Sequence, residues 1–226
     1  MGGPLTVAAD RLAPVRAGSL GILGGTFDPI HIGHLAIAEE AREVLGLERI
    51  LFVPAGVPPH KTDRPISAPA HRLAMVELAI AGNPAFEAST IELDRPGPSY
   101  TVETLELLTE RARADGRAAD LVFILSVEAF RELRSWRHPE RILELARLAV
   151  VPRVGYAEAS RALLAEHFPG HEDRAVFLDG PRLVMSGSEM RERAAHGRSL
   201  RYLVPDAVAT YIGDHGLYTD PLWRKN

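Results

Sequence analysis

The chain has 226 residues, 46% of them hydrophobic and 25% charged, which is enough for one globular α/β domain, or one with a small appendage. Its net charge of −4 speaks against a general nucleic-acid binder, and the absence of cysteine excludes disulfides and thiolate metal sites and fits a reducing cytoplasm. No apolar run is long enough to span a bilayer, so no membrane partner is expected, while homo-oligomerisation is left open.

Residues 1–18, rich in Gly, Ala and Pro and interrupted by Asp10 and Arg11, read as a flexible extension rather than a signal peptide. Residues 19–226 read as a single domain. A strand over Leu20–Gly24 breaks at Gly24 and Gly25 and passes into a helix over His34–Leu45. Glycines at a strand end let the backbone approach a ligand closely, and the following helix start suits an anion. His31 and His34, three residues apart, share one helical face. This is a phosphate site but not a Walker loop, because no Gly-Lys-Ser or Gly-Lys-Thr follows the glycines. A zinc site would need three or four protein ligands, so no metal ligand is assigned.

A second strand, Arg49–Val53, runs into the proline-stiffened loop Pro54–Lys61, which ends in a positive charge. A helix over Ala70–Ala81 carrying Arg72 follows, then a strand over Phe86–Leu93. The Pro96-Gly97-Pro98 turn leads into a helix over Thr101–Arg113. Beyond it come strands at Leu121–Leu125, Leu148–Val151 and Ala175–Leu178, separated by helices at Pro139–Ala146 and Ala157–His167. This alternation predicts a doubly wound parallel sheet with helices on both faces. Ligands of such sheets sit beyond the carboxyl ends of the strands, where Gly24–His34, Pro54–Lys61 and Ser126–Trp136 fall. The C-terminal part turns helical: Ser186 is placed to cap a helix with Glu189 at its third position, and Pro205-Asp206 starts a last helix that Gly216 can end.

The run Gly24-Gly25-Thr26-Phe27-Asp28-Pro29-Ile30-His31-Ile32-Gly33-His34 resembles the first signature of the nucleotidyltransferase superfamily. Further motifs, from about Ser19 to about Tyr218, make the chain similar to the bacterial nicotinate-nucleotide adenylyltransferases. The resemblance implies a Rossmann-like nucleotidyltransferase fold with a helical C-terminal part. It also implies transfer of AMP from ATP to nicotinate mononucleotide, giving deamido-NAD and pyrophosphate, with Mg²⁺ held mainly by the ATP phosphates. Catalytic roles then pass to His31, His34, Lys61 and Arg191. Gly24, Gly25, Thr26, Phe27, Gly33, Ser126, Glu128, Ser186 and Ser188 would surround ATP. Tyr100, Thr101, Thr104 and Trp136 would surround the mononucleotide, with Trp136 stacking on the pyridine and the helix start at Thr101 meeting its carboxylate.

Each fragment also has a plain structural reading: a core tryptophan, a capped helix, a stiff turn. Two departures from the family pattern stand out. Ser126-Val127-Glu128 replaces Gly-Ala-Asp, and Gly187 replaces a serine of the second signature, Met185–Arg191. Rival functions are an adenylyltransferase taking nicotinamide mononucleotide or phosphopantetheine, and a nucleotide-binding sensor without turnover. Release of pyrophosphate separates enzyme from sensor.

Overall fold

The computed structural model describes residues 18–58, 65–155, 161–220 and 223. The expected extension, apart from Gly18, and both His60 and Lys61 lie outside these residues. Six strands form one parallel sheet: β1 (Leu20–Gly25), β2 (Arg49–Pro54), β3 (Phe86–Ala88), β4 (Leu121–Ser126), β5 (Ala146–Val151) and β6 (Ala175–Phe177). Their order is β3-β2-β1-β4-β5-β6, so the winding reverses between β1 and β4, where Leu23 pairs with Ile124. In doubly wound sheets that reversal opens a crevice at the carboxyl ends of the strands.

Helices cover both faces. They are α1 (Ile32–Leu45), α2 (Pro69–Ile80), α3 (Thr101–Ala114), α4 (Val127–Arg131), α5 (Pro139–Leu145), α6 (Arg161–His167), α7 (Gly187–Ala195) and α8 (Asp206–Asp214). Successive strand side chains point to opposite faces, and the strands are apolar on both. Leu23, Ile50, Phe52 and Ile124 pack under α1, α2 and α8, against Ala38, Ala41, Met75, Val76 and Val208. Ile22, Leu51, Phe123 and Leu125 pack on the other side against Leu105 of α3, Phe130 of α4 and Ile142 of α5. Near-continuous apolar strands are what a sheet buried on both faces requires.

The boundaries follow local chemistry. Gly46, at φ +62°, ends α1 in the left-handed region, and the Leu47 N–H returns to the Arg42 carbonyl at 2.9 Å. β3 is shorter than the expected Phe86–Leu93. Its ladder ends with the Ser89 N–H on the Phe52 carbonyl, after which Thr90 Oγ1 donates to Asp94 Oδ2 at 2.7 Å. Such short-range side-chain bonds compete with strand pairing. The helix expected through Ala146 stops at Leu145, because Ala146 is extended and pairs with Leu121. Ser126 caps a short helix, α4, that the sequence pattern did not show; its Oγ accepts the Ala129 N–H at 3.3 Å.

Candidate active site

The crevice between β1 and β4 holds a cavity of about 590 Å³. Its floor is the turn after β1. Phe27 sits there at φ +49°, a region a bulky residue adopts only under constraint. The constraint is visible: Phe27 is buried, its ring meeting His34 edge-on at 5.0 Å and Phe52 at 5.9 Å. A Cβ on Gly25 would lie 2.9 Å from the Phe27 ring, so this glycine makes room for Phe27 and does not line the cavity. From α2, the buried Arg72 ties the turn to its neighbours, donating to the carbonyls of Thr26 (2.9 Å), Ser67 (3.1 Å) and Gly56 (3.3 Å). Burial lowers its pKa, against the opposing pull of the Asp28 charge.

His31 and His34 open α1 with their rings stacked, 3.7 Å apart and 20° from parallel. His34 Nδ1 accepts the His31 backbone N–H at 3.2 Å, which puts the His34 proton on Nε2 and makes that atom a donor. His31 is only 5% exposed. Burial pulls its pKa from 6.5 down to about 4; its backbone hydrogen bond opposes this, and the charge of Arg153 lowers it further. His31 is therefore neutral at pH 7. Its Nδ1 is buried, facing Gly33 at the start of α1. Gly33 permits the stack, since a Cβ there would stand 3.0 Å from His31 Nδ1.

The opposite wall is the start of α7. Ser186 Oγ accepts the Glu189 N–H at 3.2 Å, the cap that the sequence pattern predicted. Arg191 donates to the Asp28 carbonyl (2.5 Å) and to Ser188 Oγ (3.1 Å). Gly187 now has a physical reason: a Cβ there would lie 2.9 Å from the Asp28 carbonyl oxygen, so glycine lets α7 close onto the β1 turn. Its effect is closer packing as well as one hydroxyl fewer.

The third wall comes from β4 and β5. Ser126 spends its hydroxyl on the α4 cap, and Glu128 is paired with Arg153, which follows β5. Trp136 lines the cavity half-buried, its ring edge-on to Phe123 at 6.1 Å. Gly24, Thr26, Phe27, His31, Gly33, His34, Ser126, Glu128, Trp136, Ser186, Ser188 and Arg191 thus meet around one cavity. Tyr100, Thr101 and Thr104 do not line it. Tyr100 caps α3 beneath the Arg137 guanidinium, 4.6 Å from its ring centre. Thr104 is buried and donates to Glu92 Oε1 at 2.6 Å, so the hydroxyl expected to meet a substrate carboxylate is spent inside the fold. Burial pushes the Glu92 carboxyl pKa up, partly offset by bonds from Thr104 and Ser99.

Arg153 was missed from sequence. The available signal was its place two residues beyond the apolar run Leu148–Val151, at a strand's carboxyl end. No group of three or more His, Cys, Asp or Glu able to hold a metal occurs among the described residues. No helix among them is long and apolar enough to cross a membrane.

This fold, with its site at the winding reversal, defines a mononucleotidyltransferase-type architecture, and the model of the cytidylyltransferase-like family matches residues 22–193. Curated relatives extend over nearly the whole chain. A probable nicotinate-nucleotide adenylyltransferase of Roseiflexus sp. (strain RS-1) is 52% identical over 88% of this chain and 97% of its own length. One of Thermomicrobium roseum is 47% identical over 88% of this chain and 91% of its own length. Among solved structures, the Plasmodium falciparum nicotinic acid mononucleotide adenylyltransferase complexed with NaAD superposes with a TM-score of 0.73 at 18% identity. That match covers 89% of this chain and 98% of the other, and it shows a shared fold. The chain belongs to the cytidylyltransferase-like family and, within it, to the nicotinate-nucleotide adenylyltransferases.

Proposed function

We propose that the chain transfers AMP from ATP to nicotinate mononucleotide, forming deamido-NAD and pyrophosphate. The observation that carries this reading is the stacked imidazole pair at the winding reversal. It presents one donor with a fixed tautomer, His34 Nε2–H, and one buried neutral imidazole, His31, in the cavity that Arg191 also lines. The acceptor's phosphate oxygen, ionised at neutral pH, attacks the α-phosphorus. A new P–O bond forms, the bond to the β-phosphate oxygen breaks, and pyrophosphate leaves with the electron pair. No general base is needed, so catalysis consists of positioning and electrostatic stabilisation.

His34 and His31 act at the α-phosphate, with the backbone of Gly24, Thr26 and Gly33 close by. Arg191, Lys61, Ser186, Ser188 and the α7 N-terminus receive the β- and γ-phosphates. Arg153 adds positive charge on the same side, and Glu128 accepts from a ribose hydroxyl. Trp136 stacks on the pyridine. Mg²⁺ would be brought in on the triphosphate with its own waters and would offset charge on the phosphates. A cysteine-free chain that consumes ATP fits the cytoplasm.

The test is pyrophosphate release from ATP with nicotinate mononucleotide, nicotinamide mononucleotide and phosphopantetheine in turn. Release with the first acceptor in clear preference supports the reading. Preference for another acceptor replaces it, and ATP binding without release makes the chain a sensor.

A further inference from the structure

We propose that Trp223, at the far end of the chain, is a positioning residue for Arg191, an inference that rests on the reading of Arg191 as a phosphate-facing cation. The Arg191 guanidinium lies over the Trp223 ring, 5.0 Å from its centre. Nη1 and Nη2 donate to the Asp28 carbonyl and Ser188 Oγ, and Nη1 also lies 3.9 Å from Asp28 Oδ2. An aromatic face beneath the guanidinium restricts the tilt of its plane. It does so without using any N–H donor, because the attraction is to the ring quadrupole.

The platform is itself held. Tyr218 meets Trp223 edge-on at 5.3 Å, and the Trp223 N–H donates to the Asp220 carbonyl at 3.1 Å. The Tyr218 hydroxyl, buried, donates to Asp28 Oδ1 at 2.7 Å, while the Ser67 N–H occupies Asp28 Oδ2 at 3.2 Å. Asp28 is the residue whose carbonyl receives Arg191, so the contacts close a ring: Trp223, Tyr218, Asp28, Arg191. Tyr218 takes part from φ +64°, a left-handed conformation that a tyrosine keeps only where its surroundings impose it. Tyr218 and Trp223 thus reach back to the turn after β1 and set two of the partners of Arg191, the Asp28 carbonyl and the ring beneath.

The experiment is a double-mutant cycle on the full chain with Trp223→Ala and Arg191→Ala, plus Trp223→Phe and Trp223→Leu. The readouts are kcat and KM for each substrate, ATP affinity by calorimetry, and melting temperature. Loss of the cation–π contact should lower kcat/KM for ATP by about three- to tenfold, with the KM for the mononucleotide unchanged. Trp223→Phe should recover most of the loss, and Trp223→Leu, which keeps bulk but no quadrupole, should not. In the Arg191→Ala background the Trp223 change should cost nothing further, read by ATP affinity if turnover is too slow. An equal loss in both backgrounds, or equal behaviour of Phe and Leu, makes Trp223 a packing residue only. Should Arg191→Ala alone leave ATP affinity and turnover intact, the phosphate role of Arg191 fails, and the positioning role with it. If Trp223→Ala does not fold, the Phe and Leu variants decide between the two roles.

Discussion

Acidification tests the neutral state of His31 directly. Its pKa falls from 6.5 to about 4 in the folded chain, chiefly through burial. The folded state therefore binds fewer protons at this site than the unfolded state does across that range. The contribution is fully present above pH 6.5 and is lost as pH falls from 6.5 towards 4, below which both states are protonated. At 1.36 kcal/mol per pH unit, the whole interval amounts to about 3 kcal/mol of stability. Urea unfolding at pH 7, 6, 5 and 4.5 measures it, with His31→Asn as reference. Asparagine suits the start of a helix and does not titrate in this range, whereas the chain's carboxylates titrate in both proteins. The parent should lose about 2–3 kcal/mol more than the variant between pH 7 and 4.5. Proton NMR of the His31 ring should show no titration near pH 6.5, and Arg153→Gln should move its pKa upward. Equal acid losses in parent and variant would refute the buried neutral imidazole.

Three further outcomes are expected. His34→Ala should lower kcat about a hundredfold, roughly 3 kcal/mol of transition-state stabilisation, with little change in melting temperature; the reverse pattern would make His34 structural. Trp136→Ala should raise the KM of the mononucleotide about tenfold, for roughly 1–2 kcal/mol of lost stacking and burial, and should barely alter that of ATP. Equal weakening of both substrates would count against stacking. Gly187→Ser, although it restores the family's residue, should destabilise by about 1–3 kcal/mol, because its Cβ would press on the Asp28 carbonyl. An unchanged melting temperature would show that the turn gives way.

Much of the architecture was legible because it depends on periodicities that survive in one dimension. Apolar runs at Leu20–Gly24, Arg49–Val53 and Leu121–Leu125 came within a residue of β1, β2 and β4, since strands buried on both faces leave no polar alternation to blur their ends. The glycine turn, the histidine pair and the Ser186 cap were legible for a related reason: each is a short-range pattern whose partners lie within a few residues. The pattern overestimates β3 because Ser89 Oγ accepts the Ile91 N–H and Thr90 Oγ1 donates to Asp94, a local competition that strand propensity does not count.

The rest depends on residues distant in the chain. Nothing near Gly187 in sequence says that the Asp28 carbonyl will stand 2.9 Å from where its Cβ would be. Nor does Thr104 reveal that Glu92 will take its hydroxyl. Nothing near Glu128 in sequence says that Arg153 will pair with it, and Trp223 reads as tail until its ring lies under Arg191. The sequence by itself determined the sheet, its winding and the phosphate-type chemistry at the β1 turn, because hydrophobic period and helix-start chemistry are local. The tertiary structure decided which hydroxyls and charges remain available to a nucleotide and which are spent within the fold, because burial and hydrogen-bond partnership are set only when distant segments meet.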